Sequence, residues 1–516
     1  MDQTNTIEVE NDHHAGAPSV VLHSKSKKVV KSRESSYSSD EVEGSIGEKP
    51  SRYEVWGWYL YEFCSYFVQT VLIPVLFPLI ISQLQILPTD PVQEWQNDHQ
   101  GLLCSDKEIH LYSTLTKRTI TVNGSHFSSL EWTSIAWASG LTLAIPILSF
   151  ISFHLNSQYQ TFITAVSTGI GVFFCLPAGF FKTTLIFIPY IAFIVLASTV
   201  SSSSHTHHLA LMISSSSKKS KTQRVSSFFS LYATSFGCLG SAVISSFIYH
   251  MLREPDDRNL FTLWIVSIFS GLIWLVGVLH VVTAINRTSF STVSFNKTLF
   301  YPCSILQNPK AIGGLFGVFL SSFTTMCIFT GAILFIVGNL CIKPLHLLYF
   351  WLTYFLFPLV SLPLLHPLQQ LIKTSSVKMK IIGFLLSMLS SGFGFYFWNS
   401  HWKWGHILIF GGIQGIGSGV LHAFGRVLVL ECAPKGKEGV FSVWYGWIRA
   451  AGLCLGFTVA SVVPGQIKTS FGAAFVAALV GIVVLLFGNV GDDSETESGS
   501  QGNDNLGLDS KESVSV

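Results

Sequence analysis

The chain has 516 residues, 49% hydrophobic and only 12% charged, where an ordinary soluble protein carries roughly 25% charged residues. Only 35 of its charges fall among residues 55–488, too few to give that stretch a water-facing surface. The composition therefore argues against a soluble fold and for a polytopic membrane protein, and a net charge of +2 without a basic patch indicates no nucleic-acid partner.

Residues 1–54 are polar and rich in Ser, Asp and Glu, which predicts a disordered tail. Ser35–Ser39 is a candidate segment for regulatory phosphorylation. The first fifty residues lack the short apolar core of a cleavable signal peptide, so the first span is expected to act as the insertion signal.

A bilayer core of about 30 Å needs roughly 20 apolar residues per helix. That length predicts twelve spans, at approximately 56–82, 132–153, 161–181, 184–204, 227–252, 260–284, 311–338, 346–365, 380–398, 405–428, 440–463 and 469–488. The fourth ends where an apolar run gives way to Ser201–Ser204, a His-rich patch and Ser214–Ser217; without it the count is eleven. Two six-helix halves follow, 55–285 and 311–488, joined by a cytoplasmic linker at 286–310 and ending in an acidic disordered tail at 489–516. With both termini inside, thirteen basic residues fall on cytoplasmic loops, including Lys218, Lys373, Lys378, Lys380 and Lys435, against six on the short outer loops. That bias follows the tendency of Lys and Arg to stay on the cytoplasmic side.

Glycosylation sequons stand at Asn123, Asn286 and Asn296, and this topology leaves only Asn123 on the outer side as an acceptor. The nine cysteines contain no C-x-x-C pair, and seven lie in or near spans as small packing residues. Cys104 and Cys341 both face the outer side, and whether they pair stays open.

An ionisable group in hydrocarbon costs roughly 3 kcal/mol or more, which makes each one a functional candidate. Glu62 is the one carboxylate clearly inside a span, about 10 Å from the cytoplasmic end; Arg449 lies about 14 Å deep, and Arg426 near the inner end of the tenth span. The shared depth suggests a gate in which Glu62 pairs with Arg449 or Arg426 when the inner side is closed. The plainer alternative is a hydrogen-bonded Glu62 with both arginines reaching to lipid phosphates.

Gln69 and Gln414 are mid-membrane amides that need partners or a wet cavity. Pro74 and Pro78 should kink the first span. Gly411, Gly412, Gly415 and Gly419 crowd around Gln414, for close packing or for bending. A polar, kinked first span opposite a glycine-rich tenth span outlines a central cavity. His205, His207 and His208 sit at the expected membrane edge among serines, without a ligand set for a metal. The lone His422 does not supply a catalytic constellation, so no enzyme and no cofactor are expected.

Three segments carry a resemblance. GWYLYEF (Gly57 to Phe63), followed by FPLIIS, resembles the first-helix signature of the vacuole-effluxer branch of the major facilitator superfamily, the autophagy-related efflux permeases, in which an Asp usually stands at the Glu62 position. RVSSFFSLYATSFGCLGSA (Arg224 to Ala242) is similar to that family's fifth-helix segment, with Gly237, Gly240 and Ser241 as its G-x-x-G-S. Gly412 to Phe457 resembles its tenth helix, its P-K-G-K-E loop and the start of helix eleven, with Arg449 in place of a usual Lys.

The resemblance implies an all-α polytopic membrane protein with twelve transmembrane helices in two pseudo-symmetric six-helix bundles, working by alternating access. It also implies export of small solutes such as amino acids from vacuole to cytosol, proton coupling or gating at Glu62, and matching roles for Gln414, Arg426 and Arg449. A monomer in a vacuolar or other endomembrane is expected, with the plasma membrane as the alternative. One departure matters. The superfamily's charged latch between helices two and three is replaced by the uncharged FHLNSQYQ, Phe153 to Gln160. A transport-inactive receptor or scaffold derived from a transporter is therefore the second reading.

Overall fold

A computed structural model describes residues 50–85, 104, 106–155, 159–177, 180, 182–214, 219–253, 262–284, 309–341, 344–397, 402–434 and 436–488. Most of both expected tails, the phosphorylation segment, the linker at 286–308 and the sequons at Asn286 and Asn296 lie outside the described residues.

The first span, α1 (Arg52–Gln83), is a helix of 32 residues. It starts at Ser51, whose hydroxyl accepts the Glu54 N–H at 3.1 Å and caps the first turn. In place of a sharp kink, α1 passes through a π-helical stretch, Val68–Leu76, that contains Pro74. Pro78 then stands in the first turn of the α-helical segment Phe77–Gln83. A widened turn absorbs the hydrogen bond that a proline removes.

Beyond α1 come a short helix α2 (Asp106–Thr116) and a hairpin of β1 (Ile120–Val122) and β2 (Ser125–Phe127), with Ile120 opposite Phe127. Asn123 and Gly124 make its turn with φ of 49° and 79°, the Asn-Gly geometry that two-residue hairpins favour. Tyr112 of α2 packs against Gly338 and Gly465. Cys104 and Cys341 are disulfide-bonded across 237 residues of sequence. The hairpin end of the molecule is thus pinned to the second half of the chain.

The remaining helices are α3 (Ser129–His154), α4 (Gln160–Cys175), α5 (Phe187–Ser214), α6 (Lys219–Arg253), α7 (Thr262–Val276) and α8 (Leu279–Thr283). After them come α9 (Pro309–Gly338), α10 (Pro344–Ile372), α11 (Ser376–Tyr396), α12 (Trp404–Glu431), α13 (Glu438–Val462) and α14 (Ile467–Phe487). Among the described residues, eleven helical spans are long and apolar enough to cross a membrane, α7 with α8 counting as one, and the 16-residue α4 is a shorter apolar helix. Together they make the twelve crossings expected.

Two boundaries are corrected. The fourth span does not end at Ser204: α5 continues to Ser214 and carries Ser201, Ser203, Ser204, His205, His207 and His208 buried within the bundle. The hydroxyls are satisfied locally, Ser203 donating to Thr199 O at 2.8 Å and Ser201 to Ser198 O at 3.1 Å, so a serine-rich stretch stays helical without water. The histidines are therefore not at a membrane edge. Lys380 is likewise not a loop residue; it lies one turn inside α11, fully buried, and its Nζ has no hydrogen-bond partner among the described residues.

Polarity runs inside out. Phe150, Phe162, Leu364 and Phe487 are exposed on the outer faces, while hydroxyls and histidines fill the interior, the pattern of a bundle whose solvent is lipid. Helices α3 and α5 pack on α13, and α6 packs on α1, α10 and α12. These contacts bring α1, α5, α12 and α13 around one interior region.

Candidate functional site

Glycines determine how closely α1 is approached. A Cβ on Gly240 of α6 would overlap the Phe63 carbonyl oxygen, and one on Gly237 would lie 2.8 Å from Tyr66 Cβ and 3.1 Å from Glu62 Cγ. The G-x-x-G of α6 therefore presses α6 against the turn of α1 that carries Glu62, as small residues permit.

Glu62 is 4% exposed and about 15 Å along α1 from its start. Arg426 Nη2 donates to Glu62 Oε1 at 2.5 Å. His422, one turn earlier on α12, places Nε2 3.2 Å from the same oxygen and 2.9 Å from Arg426 Nη2. The other carboxylate oxygen faces His205 of α5, whose Nε2 lies 2.9 Å away but outside hydrogen-bond alignment. Trp58 stacks on the His205 ring at 4.6 Å between centroids and donates its Nε1–H to the His205 carbonyl at 3.1 Å. The Arg426 guanidinium lies 5.4 Å from the Trp58 ring centroid, a cation–π arrangement. Tyr445 Oη stands 3.3 Å from His422 Nδ1.

Arg449 makes a separate contact. Its Nη1 donates to Gln69 Oε1 at 2.5 Å, and Gln69 Nε2 donates to Ser198 Oγ at 3.3 Å. Of the two arginines proposed to face Glu62, Arg426 makes the ion pair and Arg449 bonds the neutral amide of Gln69. Gln414 does not join either set: its carbonyl accepts from Ser390 of α11, away from α1. Gly411, Gly412, Gly415 and Gly419 face Phe350, Phe357, Tyr354 and Leu362 of α10, where they let α10 and α12 approach.

Two adjoining cavities border this region. The larger is lined by Tyr66, Ser321, Ser322, Tyr354, Ser418, His422, Arg449 and other residues of α1, α6, α9, α10, α12 and α13. The smaller is lined by Glu62, Ser65, Gln69, Ser198, Ser201 and His205. Tyr66, His422 and Arg449 line both, so they form the wall between them. The chemistry available along these two cavities is a carboxylate, three cationic or protonatable groups and a belt of hydroxyls.

No family model and no curated protein matches the chain. Among solved structures, it is similar to the human organic anion transporter MFSD10 (TETRAN), with a TM-score of 0.54 and 12% identity over 85% of this chain and 100% of that one. The fold is of the major facilitator type. At that identity the likeness concerns the arrangement of helices and leaves side chains to be read from this structure.

Ser198, Ser418, Glu54 and Trp58, which the sequence did not single out, fall in register with residues that it did. Ser198, Ser201, His205 and His208 recur at intervals of three and four residues, the polar stripe of a single helix face. Ser418, His422 and Arg426 recur every four residues on α12, and Glu54, Trp58 and Glu62 do so on α1.

Proposed function

We propose that the chain is a secondary transporter that moves a small organic solute by alternating access, with Glu62 and Arg426 as a separable pair between the two halves of the fold. The observation that carries this reading is the Glu62–Arg426–His422 cluster, buried where α1 meets α12 and bordering two polar cavities. A buried pair whose partners sit on different helix groups is expensive to leave broken. Solute binding or a proton on Glu62 would offset that cost and let the halves part.

Amino acids are the proposed solutes and export from vacuole to cytosol the proposed direction, with both termini cytoplasmic and the chain acting as a monomer. Arg449 and His422 on the wall of the larger cavity support a solute bearing a carboxylate. The solved relative is named as an organic anion transporter, which agrees with that class. The domain limits proposed are six crossings on each side of the linker at 286–310.

The uncharged stretch Phe153 to Gln160 favours the second reading, a receptor or scaffold that no longer transports. Efflux of labelled L-amino acids from vesicles holding the purified chain separates the two: flux above protein-free vesicles supports transport, and its absence supports the scaffold.

A further inference from the structure

Five buried titratable side chains form a file between the start of α1 and Glu62. Glu54, in the first turn of α1, is fully buried next to the exposed Tyr53. Its Oε1 lies 3.2 Å from Nε2 of His208. The His208 ring meets His280 of α8 edge-on at 4.9 Å between centroids, and His280 meets His205 edge-on at 5.7 Å. His205 Nε2 then lies 2.9 Å from Glu62 Oε2. All five are at most 4% exposed.

Packing alone is a poor account of this file. Apolar rings would fill the same volume, whereas His205 Nε2 and His208 Nε2 each face a carboxylate oxygen, and His205 Nδ1 and His280 Nδ1 are buried without a hydrogen-bond partner among the described residues. Each such group costs about 1–3 kcal/mol. Gly57 lets α8 approach α1 closely: a Cβ there would overlap Thr283, on the same helix as His280.

We propose that Glu54, His208, His280 and His205 form a proton relay that loads Glu62 from the aqueous side at the start of α1. The Glu54 carboxylate takes up a proton and hands it to His208 Nε2. The imidazolium releases its other ring proton toward His280, which passes one on in the same way to His205, and His205 gives a proton to Glu62 Oε2. Each ring gains one proton and loses one, Glu54 returns to the carboxylate, and only Glu62 ends protonated. The two ring-to-ring steps need a hydrogen-bond path between the rings, which a bridging water would supply.

The groups facing this path set its direction. Glu62 is also faced by Arg426 and His422 of α12, with Tyr445 and Arg449 of α13 nearby. His205 and His280 are faced by Tyr61 of α1, and His208 by Glu54. Arg426 and Arg449 lie beyond Glu62, so a proton advancing along the file meets the imidazole rings first and the guanidinium last.

The inference rests on Glu62 being the coupling group, and its test needs no solute. Rapid infrared difference spectroscopy after a pH drop, on the full chain in vesicles, follows the Glu62 carboxylic-acid band, assigned by its loss in Glu62→Gln. The expected result is that His280→Phe and His208→Phe slow the appearance of that band by at least about tenfold without changing its final size. In His280→Ala, free imidazole is expected to restore the rate. An unchanged rate in the folded variants overturns the relay, as does a Glu62 band that never appears in the wild type. Absence of amino-acid flux together with the expected kinetics would count against transport and leave the relay standing.

Discussion

Arg426 Nη2 stands 2.5 Å from Glu62 Oε1, joining residues 364 positions apart in the chain. Both side chains are at least 95% buried, so neither charge has water to fall back on. Removing either partner strands the other, which costs about 3–5 kcal/mol for a buried pair. Glu62→Ala and Arg426→Ala are each expected to lower the thermal midpoint in detergent by several degrees. The double variant should lose less than the two single losses combined, because the interaction is counted once. Midpoints that add in full would place the stabilisation elsewhere.

Gln69 is the acceptor that keeps Arg449 satisfied. Gln69→Leu is expected to cost about 1–3 kcal/mol by leaving the guanidinium without its buried partner. Gln69→Glu replaces that bond with an ion pair between α1 and α13. It should preserve the midpoint and slow solute flux by about tenfold, roughly 1.4 kcal/mol, because the halves must now break a stronger contact. Paired measurement of midpoint and flux distinguishes the two effects.

Close helix approach makes a graded set of glycine variants informative. On Gly415 and Gly240 a Cβ would overlap a backbone carbonyl oxygen, of Tyr354 and Phe63, which cannot step aside without moving its helix. On Gly412 it would meet the Phe357 ring at 3.0 Å, and a side chain can turn. Gly415→Ala and Gly240→Ala should each cost about 1–3 kcal/mol, and Gly412→Ala less. Thermal midpoints of the three variants give the order.

Asn123 lies exposed at the tip of the hairpin, in the sequon Asn-Gly-Ser. If the hairpin end faces the lumen, endoglycosidase treatment should shift the mobility of the wild type and not of Asn123→Gln. Asn286→Gln and Asn296→Gln should shift normally. A glycan on either of those two asparagines would reverse the orientation proposed for the chain.

Much of the fold was legible because span length and apolar content report the bilayer directly. Polar residues in α5 misled at the boundary: serine hydroxyls bond to carbonyls of their own helix, so a run that looks like a helix end is helix interior. Glu62 was legible as a lone acid in apolar sequence. Its partner was not, because Arg426 and Arg449 differ in which turn of α1 they face, and that depends on helix rotation. His205 reaches Glu62, and His280 reaches His205, only through the packing of α5 and α8 on α1, a contact that no local pattern encodes. Gln414 shows the converse: the carbonyl of a mid-membrane amide can be taken up by a serine on the neighbouring helix, and the residue is then absent from the lining of both cavities described.

The most direct test of transport through this cluster is efflux of a panel of labelled L-amino acids from vesicles reconstituted with the full chain, wild type against Glu62→Gln. At least one amino acid should leave wild-type vesicles faster than protein-free ones, and Glu62→Gln should slow it by about tenfold or more. No flux of any amino acid in either preparation, or equal flux in both, would contradict a transport role for the Glu62–Arg426 pair.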